Sequence, residues 1–485
     1  MNDDGVCDSR SALRNVMNGQ MPTTHNPSSH AFALRSNRVL LGTKLEPALI
    51  VVRDERIEAV MPPHTDVASN LVVHDVGDDV IMPGLVDTHV HVNEPGRTEW
   101  EGFETATKAA ASGGITTIVD MPLNCLPVTT STRALDQKLA SLAGNAPTPG
   151  NELHVDAAFW GGAIPGNQHE LRSLAEAGVR GCKAFLIDSG IDEFPHLAEE
   201  DLRLAMRELE RAGIPLIAHA EVDLGTKAID SGDVRRYSHY LASRPPEWEV
   251  AAIELLVRLC RETGCPVHIV HLSAAAALPL VQAAKAEGLP FTAETCPHYL
   301  CLHAEEVPDG ATNYKCAPPI RERDNCTKLW QALREGVLDA VVSDHSPCTP
   351  ALKKLDVGDF MQAWGGIASL SLGLAAVWHE AHSRGFDLSV LGRWMSERPA
   401  KLACLSGKGR IAPGADADFV VWDPDIEWDI ATESLHFKHK QSPFVGRKAR
   451  GRVKETWLRG RAVYQVHDEK PMFGLATGKP ITSRR

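Results

Sequence analysis

Through the middle three hundred residues, short runs rich in Val, Ile and Thr alternate with stretches whose apolar residues recur every three or four positions. The short runs predict buried strands, and the longer stretches predict amphipathic helices. Eight strands are read, over residues 85–90, 115–120, 153–159, 179–186 and 216–221 and starting at residues 267, 291 and 340. ITTIVD follows the Ala-rich helix ETATKAAASGG, which its two glycines end, and LIAHAE follows EEDLRLAMRELERAG, whose apolar positions form one stripe. Eight strands, each followed by a helix or long loop, predict an α/β fold of the (β/α)8 barrel type. A doubly wound sheet would show a Gly-rich first turn, and none is present.

Outside this block the texture changes. Residues 31–82 and 408–466 read as short strands and tight turns without helical periodicity, and are expected to combine into one small β domain. The barrel then occupies 83–407. Residues 1–30, polar and rich in Ser, Thr and Asn, read as a flexible tail, and 467–485 as a C-terminal tail.

Composition narrows the function. With 50 Lys and Arg against 63 Asp and Glu, the net charge of -13 repels phosphate backbones and anionic lipid, so neither nucleic acid nor a membrane surface is an expected partner. The eleven cysteines are scattered without a C-x-x-C pair, which suits a reducing compartment. No apolar run approaches the roughly 18 residues of a membrane helix. The first thirty residues lack the apolar segment of a secretory signal, and ITSRR is not the S-K-L address of peroxisomes. A cytoplasmic location is expected by elimination.

In a barrel of this kind the chemistry sits where strands run out into their following loops. Five residues of metal-ligand type fall there. His89 and His91, in DTHVHVNEPG, are two apart, so a strand's period points both to one face. His219 ends the fifth strand in AHAE, His271 the sixth in HIVHLS and Asp344 the eighth in VVSDH. Singly, each has a plain explanation: a strand-end histidine is commonly a hydrogen-bonded structural group, and an Asp before a helix is by default an N-cap. Together they form a donor set suited to Zn2+, with Co2+, Mn2+ and Fe2+ as alternatives. Five ligands are many for one catalytic zinc and few for two metals without a bridge. Lys183, in GCKAFLIDSG, ends the fourth strand. It is either a snorkelling or salt-bridged lysine or, if carbamylated by CO2, an anion with two oxygens that can span two metals. His268, three residues before His271, is expected on the opposite strand face, in the barrel wall. His298 in CPHYL is read as structural, and His345 is left out of the metal set.

The chain resembles the amidohydrolase superfamily, in the cyclic-amidohydrolase branch that holds the dihydroorotases, the dihydropyrimidinases or hydantoinases and the allantoinases. Within that branch it is most similar to the allantoinases. The likeness runs from about residue 31 to 466 and is concentrated in MPGLVDTHVHVNEPGRTEWEGFETATKAAASGGITTIVDMPLN (82–124), KAFLIDSGIDEFP (183–195) and SDHSPC (343–348). It implies a binuclear centre with His89, His91 and Asp344 on one metal, His219 and His271 on the other, and carbamylated Lys183 between them. It also implies a hydroxide nucleophile, proton transfer by Asp344 and a homo-oligomer, a tetramer in many relatives.

Two departures bear on which ring is opened. Dihydroorotases carry an arginine two residues after the second metal histidine, to pair with the substrate carboxylate, and here that position is Asn93. Dihydropyrimidinases and hydantoinases carry a tyrosine five residues after the bridging lysine, and here that position is Asp188. The pocket is thereby expected to take allantoin, with Asn93 and Ser346 as substrate contacts and backbone groups of residues 188–190 nearby. The rival for Asn93 is a turn residue before Glu94-Pro95-Gly96, and for Ser346 a cap. The enzymatic alternative is a hydantoinase or dihydropyrimidinase. The non-enzymatic one is a dihydropyrimidinase-related scaffold protein, which retention of all six candidate ligands disfavours.

Overall fold

A computed structural model of the chain describes residues 31–142, 153–225 and 232–483. The tail expected over 1–30 lies outside the described residues.

The barrel strands are β1 (Leu85–Val90), β2 (Ile115–Asp120), β3 (Asp156–Phe159), β4 (Cys182–Phe185), β5 (Leu216–His219), β6 (Val267–Ile269), β7 (Phe291–Thr295) and β8 (Ala340–Val341). They run parallel in chain order, with the short strand Gly161–Gly162 carrying β3 on to β4. The ring closes where the Val90 backbone bridges that of His345 and the Ser343 amide donates to the Asp87 carboxylate. Two strands begin later than the sequence pattern predicts, at Asp156 and Cys182. Leu153, Val155 and Val179 enter the core from the connecting segments, so their hydrophobicity reports burial without pairing.

The helices pack outside as their stripes require. Glu199–Ala212 buries Leu202, Ala205, Met206 and Leu209, spaced at three and four, and is ended by Gly213 at φ 65, where only glycine is unstrained. Each such large apolar side chain contributes about 1.5–3 kcal/mol by leaving water. Phe103–Ser112 turns Ala106, Ala109 and Ala110 onto the barrel, and the small side chains let the helix lie close.

The second body is a nine-stranded sheet built from both ends of the chain. Val80–Pro83 pairs antiparallel with Phe419–Asp429, joining N-terminal strands to C-terminal ones. The reading of 467–485 as a tail is corrected. Lys470–Phe473 is a further strand of this sheet, paired with Arg461–His467. The chain then runs under β3: Ala157 donates to Lys479, Ile481 to Ala157 and the Arg180 guanidinium to the carbonyls of Ile481 and Ser483. At its centre Asp156 contacts the Lys408 amine, the Arg459 guanidinium and the Lys479 amide, tying barrel, sheet and terminal segment together. No helix among the described residues is long and apolar enough to cross a membrane.

Candidate active site

At the C-terminal rim of the barrel the sequence-predicted donors come together. The period of β1 brings the Nε2 atoms of His89 and His91 toward Asp344 Oδ1, at 3.1 and 3.7 Å. Across the barrel, His219 Nδ1 from β5 and His271 Nε2 after β6 lie 3.0 Å apart. His271 and Asp344 hold positive φ, 39° and 45°, a conformation uncommon outside glycine, and both side chains line the cavity at the barrel mouth. The His89 and His271 rings are 5.2 Å apart between centroids, and Lys183, the second residue of β4, is buried.

The donor set fits divalent cations. His89 Nε2 is fully buried, sits beside an acceptor oxygen and has no hydrogen-bond partner among the described residues. Two ligands on 2.0–2.1 Å bonds at a tetrahedral angle stand roughly 3.3 Å apart, which is the spacing these atoms have. Burial first, then the neighbouring Lys183 amine, push His91 down to about 3, and burial takes His219 to about 4 against the opposing effect of Glu221. His89 and His271 are pushed down in the same way, so all four imidazoles are in the neutral, ligating form. Burial also lowers the Lys183 amine below the ordinary lysine range, against the pull of Asp344, and raises the Asp344 carboxyl.

Several buried groups around the donors have no counterpart in the sequence reading. Glu294, near the end of β7, takes His89 Nδ1 at 2.7 Å on one oxygen and His268 Nε2 at 2.9 Å on the other, fixing His89 with Nε2 toward the centre. The expectation for His268 is therefore corrected. The positive φ at His271 breaks the strand alternation, so both histidines reach the interior. Glu221 accepts from His219 Nε2 at 2.7 Å and is itself held by the Arg244 guanidinium. Burial raises the Glu221 carboxyl, but Arg244 and His219 together outweigh it and bring the group down to about 2. His345 turns its ring toward the backbone amides of Ser369 and Leu370, away from the donors.

These groups open into a cavity of about 610 Å³, lined among others by Asn124, Lys183, Asp188, Ser346 and Trp364. Ser346 reaches it and donates to Asp344 Oδ1 at 3.1 Å, so it also orients that carboxylate. Asn93 does not reach it, and the expected substrate contact is corrected. Its side chain is fully buried against the Asn124 carbonyl, and its backbone closes the turn that follows β1 by accepting from Arg97. Asn124 lies there instead, at φ 68, its amide nitrogen 3.3 Å from His91 Nδ1 and its Oδ1 without a partner among the described residues. Asn124 ends the MPLN string directly after β2, and that place is the sequence signal that marks it.

The amidohydrolase family profile matches residues 80–463, which span the barrel and every group described above. The chain belongs to the amidohydrolase family. Among similar amidohydrolases is an allantoinase of Streptomyces avermitilis, 49% identical over 430 residues, covering 89% of this chain and 94% of the relative. An allantoinase of Saccharomyces cerevisiae is 43% identical, covering 89% and 95%, and one of Arabidopsis thaliana is 42% identical, covering 90% and 88%. Among solved structures, an L-hydantoinase (dihydropyrimidinase) from Arthrobacter aurescens superposes with a TM-score of 0.85 at 28% identity, covering 93% of this chain and all of that one.

Proposed function

We propose that this amidohydrolase hydrolyses the cyclic amide of allantoin to give allantoate. The observation that carries the reading is the convergence of two donor groups near buried Lys183, in a chain whose similarity to allantoinases extends over about nine-tenths of its length. His89, His91 and Asp344 would hold one divalent cation and His219 and His271 a second, with Lys183, as its carbamate, between them. The all-imidazole and carboxylate donor set favours Zn2+. Such cations supply hydroxide at neutral pH and polarise an amide carbonyl.

The chain's own residues do the rest. Burial keeps the Lys183 amine closer to its neutral, CO2-reactive form than a surface lysine is, and Asp344 and Glu294 offset this only in part. Asp344, oriented by Ser346, accepts the proton of the attacking water and returns it to the departing ring nitrogen. Asn124 and the backbone of residues 188–190 offer uncharged hydrogen-bonding groups to the ureido arm, and the cavity presents no tyrosine at Asp188 for a hydantoinase-type contact. A homotetramer is proposed on resemblance, and light scattering on the purified protein tests it.

The test is to offer allantoin, dihydrouracil and 5-substituted hydantoins separately to purified protein whose metal content has been measured. Ring opening of allantoin with about two divalent ions per chain supports the reading. Opening of dihydrouracil or hydantoins with allantoin untouched makes the chain a hydantoinase. No hydrolysis and less than one ion per chain makes it a scaffold.

A further inference from the structure

His298 is completely buried, and neither ring nitrogen has a hydrogen-bond partner among the described residues. That is unusual, because an imidazole retained for structure normally places at least one nitrogen on a partner. Its apolar side is accounted for by the Tyr299 ring at 4.2 Å. Its polar side faces Cys296, which precedes it by two residues at the end of β7, and Asp344. A sulfur, a ring nitrogen and a carboxylate oxygen from these three lie within 4.8 Å of one another.

We propose that Cys296, His298 and Asp344 form a third cation site, distinct from the binuclear pair, that takes a soft or borderline ion such as Cd2+ or excess Zn2+ and inhibits hydrolysis. The donor chemistry sets the preference. A thiolate beside an imidazole selects such ions over Mg2+ or Ca2+, whereas the neighbouring donors offer only nitrogen and oxygen. Asp344 has two carboxylate oxygens and can serve both sites. His89 is as fully buried as His298, and Asp344, which belongs to both donor groups, lines the cavity.

Binding is balanced by the loss of one proton, which leaves the Cys296 sulfur for solvent as the sulfur–metal bond forms. The consequence for turnover is direct. A carboxylate with a cation on each oxygen is a much weaker base and has no uncoordinated oxygen to take the proton of the attacking water. Inhibition therefore rests on the proton-transfer role proposed above for Asp344, but occupancy does not.

The experiment uses the metal-loaded protein titrated with CdCl2, following cadmium–thiolate absorption in the ultraviolet, bound cadmium by equilibrium dialysis, and allantoin hydrolysis. Wild type is expected to take up one further ion per chain with a thiolate band and to lose activity in parallel. Cys296→Ser and His298→Asn should keep their activity without cadmium, and should need roughly tenfold or more cadmium for the same inhibition. Cys296→Ser should also lack the band. A band and inhibition undiminished in both variants, or no extra ion and no inhibition in wild type, would overturn the proposal. If the protein does not hydrolyse allantoin at all, the band and the stoichiometry still decide the site. If the extra ion binds without slowing hydrolysis, the site stands and the inhibitory role is withdrawn.

Discussion

A histidine ligand is governed by what holds its other ring nitrogen, and here two buried carboxylates do that work differently. Glu294 is shared between His89 and His268 and has no guanidinium partner among the described residues, whereas Glu221 is already paired with Arg244. Glu294→Gln is expected to keep the fold and lower metal affinity by about 10- to 100-fold, read by competition with a chelator. Unchanged affinity would show that Glu294 does not support the centre. Lys183→Ala should lose most bound metal and nearly all allantoin hydrolysis while staying folded, checked by elemental analysis and circular dichroism. Full activity in that variant would make Lys183 an ordinary buried lysine. At this scale five candidate donors are legible because they fall at strand ends, whereas Lys183 becomes a specific bridging candidate only through the family resemblance. Glu221 and Glu294 were not, since an acid near a strand end looks like any other until the imidazole it faces is known. Asn93 misled because its place two residues after His91 implied a substrate contact by resemblance while Glu94-Pro95-Gly96 implied a turn, and the turn is what forms.

Among the elements, the barrel strands and the Glu199–Ala212 helix could be read from periodicity, since each has a face that must be buried. The terminal segment could not. Residues 474–483 have no alternation, and what they pair with, the start of β3 and Arg180, lies some three hundred residues away along the chain. The fit there is close: a Cβ added at Gly178, φ 100, would fall 1.6 Å from the Thr482 carbonyl oxygen. Gly178→Ala should therefore destabilise the protein by about 1–3 kcal/mol, from the strained backbone and from displacement of the segment. Denaturant midpoints check this, and protease sensitivity should rise near residue 480. An unchanged midpoint would mean the segment does not hold its place in solution.

For the whole molecule, the joint between barrel and sheet is a buried cluster of charges. Lys408 meets Asp156, Asp416 and Asp418, and Arg459 meets Asp156. Lys408→Met leaves three carboxylates with one fewer cation and should cost about 3–5 kcal/mol. Burial raises the Asp156 carboxyl, but Lys408 and Arg459 outweigh it and hold it below the ordinary range, whereas for Asp418 burial outweighs Lys408 and the carboxyl is raised. The two act in opposite directions. Asp156 contributes stability that is present above its unfolded value of about 3.9 and lost as pH falls through its lower folded value. Asp418 contributes stability at low pH that is lost as pH rises through its folded value. Asp156 dominates because it has two cationic partners, Lys408 and Arg459, and a third attachment in the Lys479 amide. Stability should accordingly fall as pH drops below about 4, and Lys408→Met should show a smaller fall. Urea midpoints measured between pH 3 and 7 decide, and parallel profiles for the two proteins would count against the cluster.

The pairing of Val80–Pro83 with Phe419–Asp429 also bears on how the protein is made. A chain leaving the ribosome presents the first half of the sheet more than three hundred residues before its partner strand exists. Over that interval an open strand edge is a template for unwanted pairing with other nascent chains. The barrel can assemble in the meantime, but the sheet closes only when synthesis is nearly done, so slower translation or chaperone occupancy of that edge should raise the yield of native protein.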